Sequence, residues 1–173
     1  MIIGLLGRAR SGKDTVANCI GQYYYPSYEM CRIAQPIKDS LRALYGWSDK
    51  HIEGFLKEVT DPVINKSPRD AMIELGERVK SESGQDFFIN MLLRKHKGEI
   101  IIPDVRFQNE VDRIREAGGI IIKIERPGCS ILPNENGIDQ IKSDYSIWNS
   151  NTLESLHDQV HRIVIQLNNR NTT

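Results

Sequence analysis

The spacing of apolar residues along the chain predicts five short strands that alternate with helices. Five runs have the length of strands, at positions 2–6, 28–33, 99–105, 120–124 and 144–148, and the run at 99–105 is rich in β-branched residues. The segments between most of them carry apolar residues at helical spacing. Such alternation predicts a parallel sheet with right-handed crossovers and helices on both faces, that is, a three-layer α/β fold with five parallel strands.

Several helix faces and ends can be predicted from the same pattern. Ile37, Leu41 and Leu44 would share the buried face of a helix that starts near Pro36. Ser67 is expected to cap a helix beginning at Pro68, and Asn151, with Glu154 three residues later, is expected to cap the last helix. Residues 46–68 carry glycines and prolines among short apolar clusters, which predicts small helices and a mobile segment.

Composition narrows the class of protein. At 173 residues the chain fits a single domain, 1–173, large enough to bury about two thirds of its unfolded surface. No apolar run reaches the ~20 residues of a membrane span, and the first residues read as a strand, so we expect a cytoplasmic protein with no signal peptide and no membrane contact. The 23 basic and 23 acidic residues balance, which argues against binding a nucleic-acid polymer.

The three cysteines are too widely spaced for a disulfide framework or a zinc motif. They stand at positions 19, 31 and 129. We expect them to be buried thiols in a reducing compartment.

The candidate chemistry starts directly after the first strand. The run Gly7-Arg8-Ala9-Arg10-Ser11-Gly12-Lys13-Asp14-Thr15 has a glycine, four residues, then Gly-Lys, between a strand and a helix. In this arrangement main-chain N–H groups and the helix N-terminus surround a phosphate, and the lysine reaches the outer phosphates. We therefore expect a nucleoside triphosphate to contact Gly7, Arg8, Arg10, Ser11, Gly12, Lys13, Asp14 and Thr15.

One position departs from the usual loop. The residue after the lysine is normally Ser or Thr, whose hydroxyl binds Mg²⁺, but here it is Asp14, and the hydroxyl moves to Thr15. Because Mg²⁺ keeps several of its waters, Asp14 is expected to act on the ion through water.

A second group of charged residues follows the other strands. Asp104 and Arg106 end the run Ile102-Pro103-Asp104-Val105-Arg106, where an acid orients Mg²⁺ and an arginine meets a transferring phosphoryl group. Lys38 and Arg69 stand at helix starts and are candidate phosphate contacts, with Asp39 a weaker candidate. A second set of cations favours a kinase whose acceptor is itself a phosphate over a simple nucleotide hydrolase.

Residues 126–143 are predicted to form a loop that closes over the site. They contain Gly, Pro and Asn with little periodicity. Arg126 and Lys142 flank the loop, where they either neutralise triphosphate charge or keep the loop soluble.

These motifs, taken in order, resemble the phage-type deoxynucleoside monophosphate kinases of the P-loop nucleoside monophosphate kinase superfamily. The matching stretches span nearly the whole chain; they are Gly12-Lys13-Asp14-Thr15, Pro36-Ile37-Lys38-Asp39, Arg69 with Leu75-Gly76, Pro103-Asp104-Val105-Arg106, Arg126-Pro127-Gly128 and Asn151-Thr152-Leu153-Glu154. The chain is shorter than typical members, chiefly between Trp47 and Ser67, where much of the pocket for the acceptor base would lie.

The resemblance implies an ATP-dependent and Mg²⁺-dependent phosphotransferase that converts a deoxynucleoside monophosphate to the diphosphate. It implies that Lys13 holds the β- and γ-phosphates, that Asp104 acts near Mg²⁺, and that Asn151 lies beside the donor base with Asn149. It also implies that Lys38, Arg69 and Arg106 hold the acceptor phosphate or the transferring group, with the acceptor region at about 34–80. Whether the protein forms a homodimer is left open. If the source is viral, the expected location is the cytoplasm of the host.

Two alternatives remain open at this point. Animal-type phosphomevalonate kinases share the Gly-Lys-Asp loop, a Pro-x-Lys segment and an Asp-x-Arg strand end, and they too phosphorylate a phosphate. An ATP-binding module that transfers no phosphoryl group is the other alternative, because of Asp14.

Overall fold

The computed structural model describes residues 1–129 and 137–170. Five strands form one sheet; they are β1 (Ile2–Leu6), β2 (Glu29–Met30), β3 (Ile100–Val105), β4 (Ile120–Glu125) and β5 (Tyr145–Trp148). All paired neighbours are parallel, in the order β2-β3-β1-β4-β5. The predicted five-stranded parallel sheet is therefore confirmed.

The helices of the described residues alternate with these strands much as the apolar spacing predicts. They are α1 (Lys13–Cys19), α2 (Gln35–Tyr45), α3 (Asp49–Ile52), α4 (Pro68–Ser83), α5 (Phe87–Lys95), α6 (Gln108–Glu116) and α7 (Leu153–Arg170). A π-helical turn at Ile20–Tyr24 continues α1, and a 3₁₀ turn covers Ile138–Gln140.

The register of the central strands decides which residues meet at the functional edge of the sheet. β1 lies between β3 and β4, with Leu6 opposite both Val105 and Lys123. The carboxyl ends of these three strands therefore lie side by side. In open parallel sheets ligands bind in the crevice beyond the carboxyl ends of the strands. The crevice lies where the strand order reverses, which here is beside β1.

Helices cover both faces of the sheet because successive side chains of β1 point to opposite sides. Ile3 and Leu5 pack in a core with residues of α1 and α7, and all of the apolar side chains at its centre are buried. On the other face, a Cβ on Gly4 would lie only 3.0 Å from Cδ1 of Ile114, so α6 approaches the sheet closely. The three-layer arrangement is thus confirmed.

The chain divides into two compact units, residues 1–32 with 92–173, and residues 33–91. The second unit has a small core of its own, formed by Leu41, Trp47, Ile52 and Ala71. The Trp47 indole donates a hydrogen bond of 2.8 Å to Asp61, and this bond is the main cause that lowers the pKa of the Asp61 carboxyl. A single domain over 1–173, with an acceptor region at about 34–80, stays a prediction.

Three local expectations are wrong in detail. The second strand covers only Glu29–Met30, because it is an edge strand paired with β3 at two positions. Leu44 is 70% exposed although Leu41 is buried. The last helix begins at Leu153, so Thr152 caps it in place of Asn151, and the Thr152 hydroxyl accepts the Ser155 N–H at 3.2 Å. Ser67 caps α4 as predicted, accepting the Asp70 N–H at 3.2 Å.

The exposure of the cysteines and the apolar character of the helices were also predicted. Cys19 and Cys31 are buried as expected, whereas Cys129 is only half-buried. Across the described residues, no helix combines the length and the apolar character needed to cross a membrane.

The packing of α7 can be tested with two isoleucines of the same helix. Ile163 is 7% exposed and belongs to the core, whereas Ile165 is 45% exposed. We expect Ile163→Ala to lower the free energy of unfolding by about 2–5 kcal/mol, because it leaves a cavity, and Ile165→Ala to change it by about 0.5 kcal/mol or less. Urea denaturation of both variants measures the difference; equal losses would contradict this orientation of α7.

Candidate active site

The loop between β1 and α1 follows a path that only glycine allows at two positions. A Cβ on Gly7 would lie 2.5 Å from the Ile124 carbonyl oxygen. Gly12 has a φ of +103°, and a Cβ there would lie 2.4 Å from Nδ2 of Asn149. The main chain therefore curls tightly against the ends of β4 and β5, as a phosphate-binding loop must if its N–H groups are to face one point.

Lys13 lies at the centre of this curl. Its side chain is mostly buried, and Nζ donates hydrogen bonds to the carbonyl oxygens of Gly7 at 2.7 Å and Arg8 at 2.6 Å. The loop thus holds the ammonium group over its own main chain, where the outer phosphates of a nucleotide would lie.

Two features of the loop fit an anion. Within residues 1–129 and 137–170, no side chain caps the N-terminus of α1, whose N-cap is Gly12, and the first N–H groups of a helix are donors that can bind an anion. The Ser11 hydroxyl is buried and has no hydrogen-bond partner among the residues that the structure describes. Since a buried polar atom normally has a partner, this hydroxyl fits a role as donor to a bound phosphate.

Asn149 anchors the loop from the end of β5. Its Nδ2 donates to the Ser11 carbonyl oxygen at 2.8 Å, while its main-chain N–H bonds to Glu125 of β4 at 2.7 Å. Family resemblance alone places Asn149 beside the donor base. Its contact with the loop depends on β5 lying two strands from β1, which no local signal in the sequence reveals.

Asp104 and Arg106 lie at the end of β3, next to the strand that leads into the loop. Glu110, which is 5% exposed, fixes the main chain there: its carboxylate accepts the N–H groups of Arg106 at 2.7 Å and Phe107 at 3.1 Å. The pairing of β3 with β1 places this strand end beside the loop, while the roles expected of Asp104 and Arg106 stay predictions. A glutamate at the third position of a helix is a capping signal that could have identified Glu110.

Asp14 pairs with Arg32, a residue that no motif in the sequence indicates. Its Oδ1 lies 2.6 Å from a guanidinium nitrogen of Arg32, just beyond β2. Asp14 is 68% exposed at its side chain, so the pair is open to solvent. Its expected action on Mg²⁺ stays a prediction, and direct binding of the ion would have to compete with Arg32.

The other cations of the loop lie toward solvent or toward the segment that follows residue 136. Arg8 forms an ion pair with Asp139, whose carbonyl oxygen also accepts Nζ of the buried Lys123 at 2.9 Å. Arg10, with a φ of +63°, and Thr15 are exposed. Arg126 and Asn151 are exposed as well, beyond β4 and β5.

The predicted closing loop can be followed only in part. Residues 130–136 lie outside the described residues, so closure stays a prediction. In the described part, Ile138 and Ile141 are buried.

Two of the three candidate acceptor cations, Lys38 and Arg69, belong to the second unit, where each has a glutamate partner. Lys38, whose side chain is 9% exposed, pairs with Glu53. Arg69 pairs through Nε with Glu58, and its main-chain N–H bonds to the Lys57 carbonyl oxygen at 3.0 Å. Both glutamates come from the turns that follow α3, a segment whose partners the sequence pattern did not predict.

Asp39 has helix-surface partners instead. Its Oδ1 accepts hydrogen bonds from Arg42 at 2.9 Å and from Gln35 at 2.8 Å. Its expected contact with the acceptor stays a prediction.

Together the strand order and the loop define the fold of the P-loop kinases. Two shikimate kinases share it over nearly their whole length. The enzyme of Aquifex aeolicus matches with a TM-score of 0.52 and 15% identity, covering 99% of each chain. The enzyme of Acinetobacter baumannii, in complex with shikimate, matches with a TM-score of 0.51 and 14% identity, covering 98% of this chain and 93% of that one.

The sequence itself is similar to a protein of Acanthamoeba polyphaga mimivirus named "Putative deoxynucleotide monophosphate kinase". The two are 28% identical over an alignment of 190 positions that covers 92% of this chain and 94% of the viral protein. The resemblance inferred from the ordered motifs is therefore confirmed. No protein-family model matches the chain.

The anchoring role of Asn149 predicts a loss of nucleotide binding. Removing its amide in Asn149→Ala releases the Ser11 carbonyl, so we expect ADP to bind about 3–10-fold more weakly, the effect of one hydrogen bond of about 0.5–1.5 kcal/mol. Asn18→Ala, an exposed asparagine on α1, is the matched control. Calorimetric titration with ADP measures both; unchanged affinity in Asn149→Ala would contradict the anchoring role.

Proposed function

We propose that this chain is a deoxynucleoside monophosphate kinase, which transfers the γ-phosphoryl group of ATP to a deoxynucleoside monophosphate and releases the deoxynucleoside diphosphate and ADP. The observation that carries the proposal is the phosphate-binding loop around Lys13, whose ammonium group is held against the loop's own main chain beside the ends of β3 and β4. The full-length similarity to the viral protein named for this activity supports the choice of acceptor.

On the donor side, the loop binds the phosphates of ATP through its main-chain N–H groups, and Lys13 contacts the β- and γ-phosphates. Arg126 and Asn151 bind the rest of the nucleotide from beyond β4 and β5. Asp104, a carboxylate at the end of the strand beside the loop, acts on Mg²⁺ through water, and Asp14 does so from the start of α1. Mg²⁺ bound with ATP supplies further neutralisation of phosphate charge.

The protein forms no covalent bond to the phosphoryl group in the proposed transfer step. An acceptor phosphate oxygen is already ionised at neutral pH, so no general base is needed, and catalysis consists of alignment and neutralisation of charge on the transferring group. Lys13 and Arg106 neutralise the negative charge on the transferring group, while Lys38 and Arg69 hold the acceptor phosphate. Asp39 lies next to Lys38 and contributes to the acceptor side.

The proposal is tested by measuring ADP formation from ATP and Mg²⁺ with the four deoxynucleoside monophosphates, the ribonucleoside monophosphates and phosphomevalonate. We expect turnover with at least one deoxynucleoside monophosphate and none with phosphomevalonate. Turnover with phosphomevalonate alone would replace the proposal with the isoprenoid alternative. ATP binding without turnover on any acceptor would indicate a binding module.

Lys13→Ala tests the donor side. Losing a preorganised charge that acts on the transferring group typically costs about 3–4 kcal/mol, so we expect kcat to fall about 10²–10³-fold. Arg162→Ala, which removes an exposed positive charge on α7, should leave kcat unchanged. Steady-state kinetics on the best acceptor measures both; near wild-type turnover in Lys13→Ala would refute the assignment.

The ion pair between Arg69 and Glu58 predicts a change in the affinity for the acceptor. If Arg69 binds the acceptor phosphate, Glu58 competes with that phosphate for the guanidinium group. Glu58→Gln should therefore lower the KM for the acceptor about two- to fivefold, the effect of an exposed ion pair of about 0.4–1 kcal/mol, while Arg69→Ala raises it. Initial rates at saturating ATP give both KM values.

The same helix offers matched controls for this pair. Arg78 and Glu82 form an ion pair of 3.3 Å on the exposed side of α4, where the side chains are 77% and 68% exposed. Arg78→Ala and Glu82→Gln should leave the KM for the acceptor unchanged. A KM that does not respond to either Glu58→Gln or Arg69→Ala would remove Arg69 from the acceptor site.

A further inference from the structure

Three side chains of different chemistry meet at the edge of the sheet formed by β2. Glu29, Cys31 and His96 each offer one ligand atom, a carboxylate oxygen, a sulfur and a ring nitrogen, and these atoms all lie within 4.8 Å of one another. None of the three belongs to the loop around Lys13 or to the candidate acceptor cations. The cluster therefore needs an explanation independent of phosphoryl transfer.

The local structure explains why the three meet. Glu29 and Cys31 are two positions apart on an extended segment, so their side chains point to the same side. The Glu29 N–H bonds to the carbonyl of Glu99, just before β3, at 3.0 Å, and the Cys31 N–H bonds to the Ile101 carbonyl of β3 at 2.9 Å, which fixes that direction. His96 directly follows α5, and its N–H bonds to the Leu92 carbonyl at 3.0 Å.

The three groups interact already. Nδ1 of His96 lies 2.9 Å from a carboxylate oxygen of Glu29, while the side chain of Cys31 is 6% exposed beneath them. Burial raises the pKa of the Cys31 thiol to about 11, and the negative charge of Glu29 contributes to the rise. The thiol is therefore protonated at neutral pH.

We propose that Glu29, Cys31 and His96 bind one Zn²⁺ ion, with water as the fourth ligand. Carboxylate oxygen, thiolate and imidazole are the three ligand types that zinc takes in proteins, and three protein ligands plus water form an open tetrahedral site. The side chain of Glu29 is 64% exposed, so water reaches the fourth position. Thiolate and imidazole select zinc over the Mg²⁺ that accompanies ATP.

Binding of Zn²⁺ releases a proton and involves no change of oxidation state. A Zn–S bond forms as the thiol proton of Cys31 passes to solvent, and Zn–N and Zn–O bonds replace the contact between His96 and Glu29. Since β2 pairs with the sheet at only two positions, the ion would fasten this short edge strand to the residue that follows α5. The expected role of the ion is to hold this edge strand in place, and that role does not rest on the proposed kinase activity.

The test uses full-length, untagged protein freed of metal with a chelator. Co²⁺ is added first, because Co²⁺ bound to a thiolate gives a charge-transfer absorption band, and Zn²⁺ is then added to displace it. We expect one Co²⁺ per chain, a thiolate band that Zn²⁺ abolishes, and no effect of excess Mg²⁺. Zn²⁺ should also raise the Tm of the protein.

Three variants identify the ligands. Cys31→Ser should lose the band. His96→Gln, which keeps a polar side chain at this half-buried position, should weaken Co²⁺ binding at least about tenfold, a loss that even changes to residues hydrogen-bonded to metal ligands can cause. Cys129→Ser is the control and should keep the band. No thiolate band, or a band that persists in Cys31→Ser with unchanged Co²⁺ affinity in His96→Gln, would overturn the proposal.

Discussion

The structure depends on how closely the main chain between Leu6 and Lys13 approaches the ends of β4 and β5. There is no room for a Cβ at Gly7 or Gly12, because the Ile124 carbonyl and the Asn149 amide occupy that space. This close approach curls the loop and places the carbonyl groups that hold Lys13. The parallel sheet makes the approach possible, since β1 ends between β3 and β4. A phosphate site built this way is preorganised and needs little rearrangement when an anion binds.

Ion pairs with carboxylates are the second constraint on the candidate site. Arg8, Lys38 and Arg69 each have a carboxylate partner, in Asp139, Glu53 and Glu58. A charge that is mostly buried, such as that of Lys38, is stable only beside an opposite charge. A phosphate that binds these cations must therefore replace a carboxylate, so its affinity reflects a difference between two anions. On the proposed function, the glutamates of residues 53–58 set the affinity for the acceptor as directly as the cations do.

Local patterns predicted the fold well, and contacts between distant segments explain what they missed. The loop at Gly7–Thr15, the alternation of strands and helices and the Ser67 cap depend on residues close together in sequence. Asn149, Arg32 and the glutamate partners of Lys38 and Arg69 depend on which elements become neighbours, which periodicity does not reveal. Thr152, and not Asn151, caps α7; the two residues are adjacent, and the side-chain oxygen of either can accept an N–H of the first helical turn. The cluster of Glu29, Cys31 and His96 escaped the spacing rules for zinc because its third member lies 65 positions after the second.

The most direct test of the central claim follows the phosphoryl group itself. Protein is incubated with ATP labelled at the γ-phosphate, Mg²⁺ and a deoxynucleoside monophosphate, and the products are separated by chromatography. The account predicts that the label appears in the deoxynucleoside diphosphate in the same amount as ADP is formed, with none in free phosphate. Label that is released only as inorganic phosphate, or that stays in ATP with every monophosphate, would contradict it.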